Sequence, residues 1–133
     1  MLTCGFGTII SPVKSVSGGF LHRMYRVTTD CGIYAVKHLN NEIMSRPAAH
    51  ENFARAEKIE CILEQTDIPI ISAITIHGSK MQNINEHYFY IFNWKEGHIT
   101  DWNNIPINEC NIAGNILGRI HAINPKNVSH QDP

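Results

Sequence analysis

Apolar positions recur with period two in the first third of the chain and again before residue 93, and with a helical period in two other stretches. Each period names the element able to bury it. Residues 8–16 and 20–29 read as two strands joined at Ser17-Gly18-Gly19, and residues 33–39 as a third, entered through Asp30-Cys31-Gly32. An Asp-x-Gly triplet between β-rich runs signals a hairpin, because glycine supplies the positive φ of a tight turn. Residues 40–49 contain Pro47 and read as a connection to a helix that begins between His50 and Asn52. Phe53, Ala56, Ile59, Ile62 and Leu63 share one face of that helix, which stops before Asp67-Ile68-Pro69. Residues 70–76 form a short β-rich run, 77–86 a polar turn region and 87–92 a further strand. Residues 108–123 form a last helix, with Asn108 as its cap and Ile112, Ile116, Leu117, Ile120 and Ile123 as its stripe. Gly114 and Gly118 each cost a free helix about 1 kcal/mol relative to alanine, which points to close packing there. The pattern predicts an α+β fold, a five-stranded antiparallel sheet with one packed helix, followed by a helical segment whose stripe needs a partner surface.

Lys37 breaks the third strand's apolar side. Alternation sets it with Ile33, Ala35 and Leu39, where an unpaired ammonium is costly, so the side chain calls for an anion. The competing reading is an edge strand whose lysine reaches into water and protects the sheet edge. Gly18-Gly19 likewise has two readings, a phosphate-approaching loop or a plain hairpin turn.

Composition narrows the classes. A chain of 133 residues, 43% hydrophobic and 17% charged, suits one domain with a core or one lobe of something larger. A net charge of -1 gives no electrostatic case for nucleic acid or an anionic membrane surface, and no apolar run approaches bilayer length. Cys4, Cys31, Cys61 and Cys110 form no C-x-x-C pair and no leader-like start precedes them, which predicts a cytoplasmic protein with free thiols. The eight histidines form no H-E-x-x-H pattern, so no metal ligation by histidine is expected.

A glycine turn, a strand, an Ala-x-Lys strand and then a helix carrying a glutamate is the order of parts in a protein-kinase-like small lobe. The segments SVSGGFLHRMYRV, IYAVKHLN, RAEKIECILEQTDIPII, YFYIFNWKEGHI and AGNILGRIHAIN resemble, in that order, the aminoglycoside phosphotransferase and choline-kinase-like superfamily of small-molecule kinases. The resemblance covers nearly the whole chain. It implies residues 1–93 as an ATP-binding lobe and residues 94–133 as the hinge and first helices of a large lobe. It also implies that Lys37 meets the α/β phosphates and that Glu57 is its ion-pair partner, with Glu60 as the competing residue. Ala35 would line the adenine pocket, and Gly18 and Gly19 would let the loop approach the triphosphate. The Asn93 carbonyl and the Lys95 amide would meet the adenine edge.

Three positions depart from the superfamily's pattern: His22 stands where many relatives carry asparagine, and Trp94 and Lys95 make the hinge bulkier and more basic. The catalytic H-G-D loop with its downstream asparagine and aspartate, the expected Mg2+ ligands, is missing. His130-Gln131-Asp132 reads as a polar tail. The resemblance therefore implies the ATP-binding part of a phosphotransferase acting on a small hydroxylated acceptor, with no catalytic residue of its own, little or no turnover, and self-association through the orphaned last helix. The alternative is a non-catalytic interaction module.

Overall fold

A computed structural model describes residues 5–17 and 20–124. Gly18 and Gly19, and the His130-Gln131-Asp132 tail, lie outside the described residues. The chain divides into two compact units, Met1–Asn52 with Ser72–Lys95, and Phe53–Ile71 with Glu96–Pro133.

The first unit is built on an open antiparallel sheet of five strands: β1 (Lys14–Val16), β2 (Arg23–Thr29), β3 (Gly32–His38), β4 (Gln82–Ile84) and β5 (His87–Asn93), in the order β1-β2-β3-β5-β4. β3 is central, paired over its whole length with β2 and from Tyr34 to His38 with β5. Beyond it the chain continues into Leu39, whose amide donates to the Tyr88 carbonyl at 2.9 Å and whose side chain is fully buried. A one-turn helix, α1 (Asn41–Met44), follows, and the Asn40 side chain caps it by accepting from the Glu42 amide at 2.9 Å. Met44, Ala49, Ala73 and Tyr90 complete the buried apolar set of this unit. The segment expected to be a plain connection thus contains a capped turn.

The expected first strand is interrupted. Ile9 bridges to Thr29 and the Ile10 amide reaches the Thr28 carbonyl at 3.1 Å, but the regular ladder resumes only at Lys14. Pro12 lies between and has no N–H to give to a ladder. The Thr29 hydroxyl closes the β2–β3 hairpin, accepting from the Cys31 and Gly32 amides at 3.1 and 3.2 Å and facing the Phe6 and Gly32 carbonyls as donor. Gly7 holds a φ of +79°, and a Cβ there would collide with the Asp30 carboxylate, which accepts from the Thr8 amide at 2.7 Å.

The fourth strand comes from residues read as polar turn. Of residues 70–76, Ile74 donates to the Ile91 carbonyl at 2.7 Å, after which Ile76 and Ser79 exchange both backbone hydrogen bonds across a turn with positive φ at His77 and Gly78. The ladder on β5 is then carried by Gln82–Ile84, joined to His87 through Asn85 and Glu86, with φ of 50° and 66°. Positive φ at both central residues is the turn type whose twist suits a two-residue hairpin. Asparagine is a usual occupant of such a turn and glutamate is not, which is why the alternation failed to announce it.

α2 (Ala49–Glu64) begins in the first unit and runs on into the second; α3 (Ile107–His121) lies wholly in the second. α3 starts one residue earlier than expected, after Pro106, and Asn108 is inside its first turn, so it is not the cap. Its entry is held from another side: the Thr100 hydroxyl donates to one Glu109 oxygen at 2.7 Å and His98 Nε2 lies 3.4 Å from the other. Near its end Arg119 donates to Asp67 at 2.8 Å, and that guanidinium holds the Asp67 carboxyl below the usual carboxylate range. No residue of α3 is buried, and Ile112 and Leu117 of the expected stripe are 58% and 53% exposed. Among the described residues no helix is long and apolar enough to cross a membrane.

The two α3 glycines are not packing sites. Among the described residues nothing stands within 4 Å of a Cβ built on Gly114 or Gly118. Gly114→Ala and Gly118→Ala should each therefore raise stability, by about 0.5–1 kcal/mol, through lower backbone entropy in the unfolded chain. Denaturant titration checks this; a loss of stability in either variant would reveal an unaccounted neighbour at that position. Glu86→Gly, which removes a left-handed side chain from the β4–β5 turn, should stabilise by about 1 kcal/mol in the same measurement.

Candidate functional site

Cross-strand register assigns every residue of the sheet to one of two faces. One row runs Val16, Met24, Lys37, Tyr90 and the next Lys14, Arg26, Ala35, Phe92. Residues two apart along a strand share a face, so both rows lie on the same side. This face carries Lys37, next to last in the central strand and half-buried, with Met24 and Tyr90 on either side. The edge-strand reading of Lys37 is overturned, because β3 is paired on both sides.

Two more cations share the face. Lys14 is exposed at its rim, directly opposite Arg26, and the Arg26 guanidinium lies over the Trp94 ring, 5.1 Å from its centroid. Three positive groups on one sheet face oppose one another unless an anion joins them, while the indole face offsets part of that cost at Arg26. Sequence reading singled out Lys37 and passed over Lys14 and Arg26. Their signal was available in the alternation of residues 14–16 and 23–29, once the register was known.

The remaining expected residues fall as follows. Ala35 lies between Arg26 and Phe92 on the Lys37 face. Asn93 ends β5, opposite Tyr34, and the Trp94 amide donates to the Ile33 carbonyl at 3.0 Å. Strand alternation then turns the Asn93 carbonyl away from β3, the direction in which the Ile91 carbonyl meets Ile74. Lys95 is exposed at the end of the first unit. Glu57 and Glu60 are half-buried on the part of α2 that belongs to the second unit.

His22 has a definite role. Its Nδ1 accepts the Asn40 amide at 3.0 Å, which requires a lone pair there and places the ring proton on Nε2. Burial first, and the Lys37 ammonium second, hold the imidazole below its ordinary pKa. A neutral ring therefore fastens the segment after the glycine pair to the turn that leads into α1. Lys80, within the stretch expected to be a polar turn region, is 4% exposed. Cys31, Cys61 and Cys110 are free thiols, and local desolvation followed by the Asp30 carboxylate pushes the Cys31 thiol up, away from nucleophilic use. An open cleft of about 470 Å³ lies beside the other side of the sheet, lined among others by Arg23, His38, Glu42 and His87. Arg23 and His38 are register partners on the face opposite Lys37.

No model of a known protein family matches the chain, and no curated protein matches it in sequence.

The state of His22 fixes a pH dependence. The folded ring binds its proton less tightly than the unfolded one, so the unfolded chain is favoured by protonation as pH falls below about 6.5. The stability that His22 contributes is whole above that value and lost as pH drops towards the lowered folded pKa. Melting midpoints of the parent chain and His22→Phe, compared from about pH 8 to about pH 5, should converge as pH falls. A gap that stays constant would mean that the ring does not titrate with folding.

Proposed function

We propose that this chain is the ATP-binding part of a phosphotransferase that acts on a hydroxyl of a small acceptor molecule. The observation that carries the reading is Lys37, half-buried near the C-terminal end of the central strand on a face that also bears Lys14 and Arg26. Such a face suits a polyanion. Support also comes from the order of parts: the lysine on the third strand, a long helix with Glu57 between the third and fourth strands, and an extended exit from the fifth strand at Asn93 and Trp94.

In this reading Lys37 neutralises the α/β phosphates and Glu57 holds the ammonium in place. Ala35, the smallest side chain of its row, leaves room for the adenine, and the Asn93 carbonyl with the Lys95 amide recognises its edge. Gly18 and Gly19 allow the backbone to approach the triphosphate. Mg2+ would accompany the triphosphate, with its protein ligands expected from the large-lobe loop of the superfamily that the chain resembles. Transfer itself needs an aspartate to orient the acceptor hydroxyl and further charge neutralisation. The sequence of this chain has no H-G-D-x-x-x-x-N motif to supply them, so turnover is not expected of it alone.

A second reading is favoured by α3, on which Ile107, Ile112 and Leu117 are 80%, 58% and 53% exposed. That apolar surface fits an interaction module, or a helix that associates with another copy.

Titration with ATP and Mg2+ separates the two. The nucleotide reading expects saturable binding with Kd of about 1 mM, because this sequence has no H-G-D-x-x-x-x-N motif to supply the metal contacts to the triphosphate. Lys37→Ala should weaken it several-fold, and Glu57→Gln should add little once Lys37 is gone, the signature of a coupled pair. Binding in the micromolar range that ignores both substitutions places the site elsewhere. No binding at all, together with a dimer in light scattering that Leu117→Asp dissolves, favours the interaction module.

A further inference from the structure

His38 and His87 are 49 residues apart in sequence and adjacent in space, with His38 Nε2 3.2 Å from His87 Nδ1. His38 pairs with Phe89 across β3 and β5, so His87, two residues before Phe89, is its diagonal neighbour on the same face. The ring centroids are 5.3 Å apart with the planes inclined at 51°. This is the face opposite Lys37, and the pair opens on the cleft that Glu42 and Arg23 also line.

His87 is exposed and His38 half-buried, and their contact lies open to solvent, so water could satisfy either nitrogen without the other ring. Their approach is nevertheless held by rigid backbone on both sides: His38 lies in the β3–β5 ladder, and His87 begins β5 immediately after the Asn85–Glu86 turn, in register with Ile84. The separation has a chemical meaning. A metal ion bonded to both nitrogens at about 2.05 Å subtends about 100° at the metal, between square-planar and tetrahedral angles. Rings aimed at one metal in that way have centroids about 5.0 Å apart, against about 5.5 Å when the nitrogens point head-on, so the observed spacing needs only a small rotation of either ring.

We propose that His38 and His87 form a bidentate site for a late first-row divalent cation, Cu2+, Ni2+ or Zn2+. Imidazole nitrogen suits these ions, whereas Mg2+ and Ca2+ require oxygen ligands, so the site is independent of the nucleotide and its companion ion. Among the described residues no third His, Cys, Asp or Glu completes a cluster with the pair, so the other positions belong to water or to a ligand brought in through the cleft. The metal bonds through both neutral nitrogens, and whatever proton the pair shares leaves to solvent. Protons compete with the metal for both nitrogens, so affinity falls as the medium becomes more acidic. Arg23 is the cation facing the pair from β2 and Glu42 the anion from α1. The β4–β5 turn adds Glu86 just before His87.

Titration of the full chain with Zn2+ or Ni2+ at pH about 7.5, followed by calorimetry, should give one equivalent of binding that Mg2+ does not reproduce. His38→Ala and His87→Ala should each weaken it about tenfold or more, while His77→Ala and His98→Ala leave it unchanged. With Zn2+, the ¹⁵N resonances of His38 Nε2 and His87 Nδ1 should move, and those of the other nitrogen in each ring much less. His87 is exposed at a strand end, so His87→Gln, with an unchanged circular dichroism spectrum, separates ligand loss from misfolding. Undiminished binding in the double His38→Ala/His87→Ala variant, absence of Zn2+ binding, or movement of the opposite ring nitrogens would each overturn the site.

Discussion

Hydrogen bonding of β3 on both of its edges is the constraint on which the rest depends. β2 pairs with it from Arg23 to Thr29 and β5 from Asn93 back to Phe89, and the Leu39 amide extends the second ladder to the Tyr88 carbonyl. Side chains alternate with a period of two, so a shift of one residue in either pairing would carry Lys37 to the other face and His38 to the first. Leu39, fully buried just beyond the strand, makes such a slip expensive.

That register divides the sheet chemically. One face holds Lys14, Arg26 and Lys37 in two adjacent rows, tempered by Trp94 over Arg26 and by a His22 ring kept neutral through its bond from Asn40. The other holds the His38–His87 pair beside an open cleft. The sheet thus separates a face that carries cations from one that carries the imidazole pair.

The second unit rests on different forces. α3 buries no side chain, and it is tied by polar contacts at its two ends, Thr100 and His98 on Glu109 and Arg119 on Asp67. The Arg119–Asp67 pair is exposed, and ion pairs of that kind contribute little and weaken with salt. Ile107, Ile112 and Leu117 remain largely exposed to water.

Local pattern alone was enough to place β2, β3, β5 and both long helices, since each carries one clear period over seven residues or more. It was also enough to single out Lys37, because a charge on an apolar strand side is visible without any partner. Where the sequence misled, a non-local or backbone effect decided the outcome. Pro12 cut the first strand, two left-handed turns at His77-Gly78 and Asn85-Glu86 moved the fourth strand to Gln82–Ile84, and Gly114 and Gly118 face open space. The company Lys37 keeps, the central place of its strand, the neutral state of His22 and the meeting of His38 with His87 were decided only by tertiary structure. Each depends on which strands pair and in what register, and pairing joins residues whose separation along the chain carries no periodic signal.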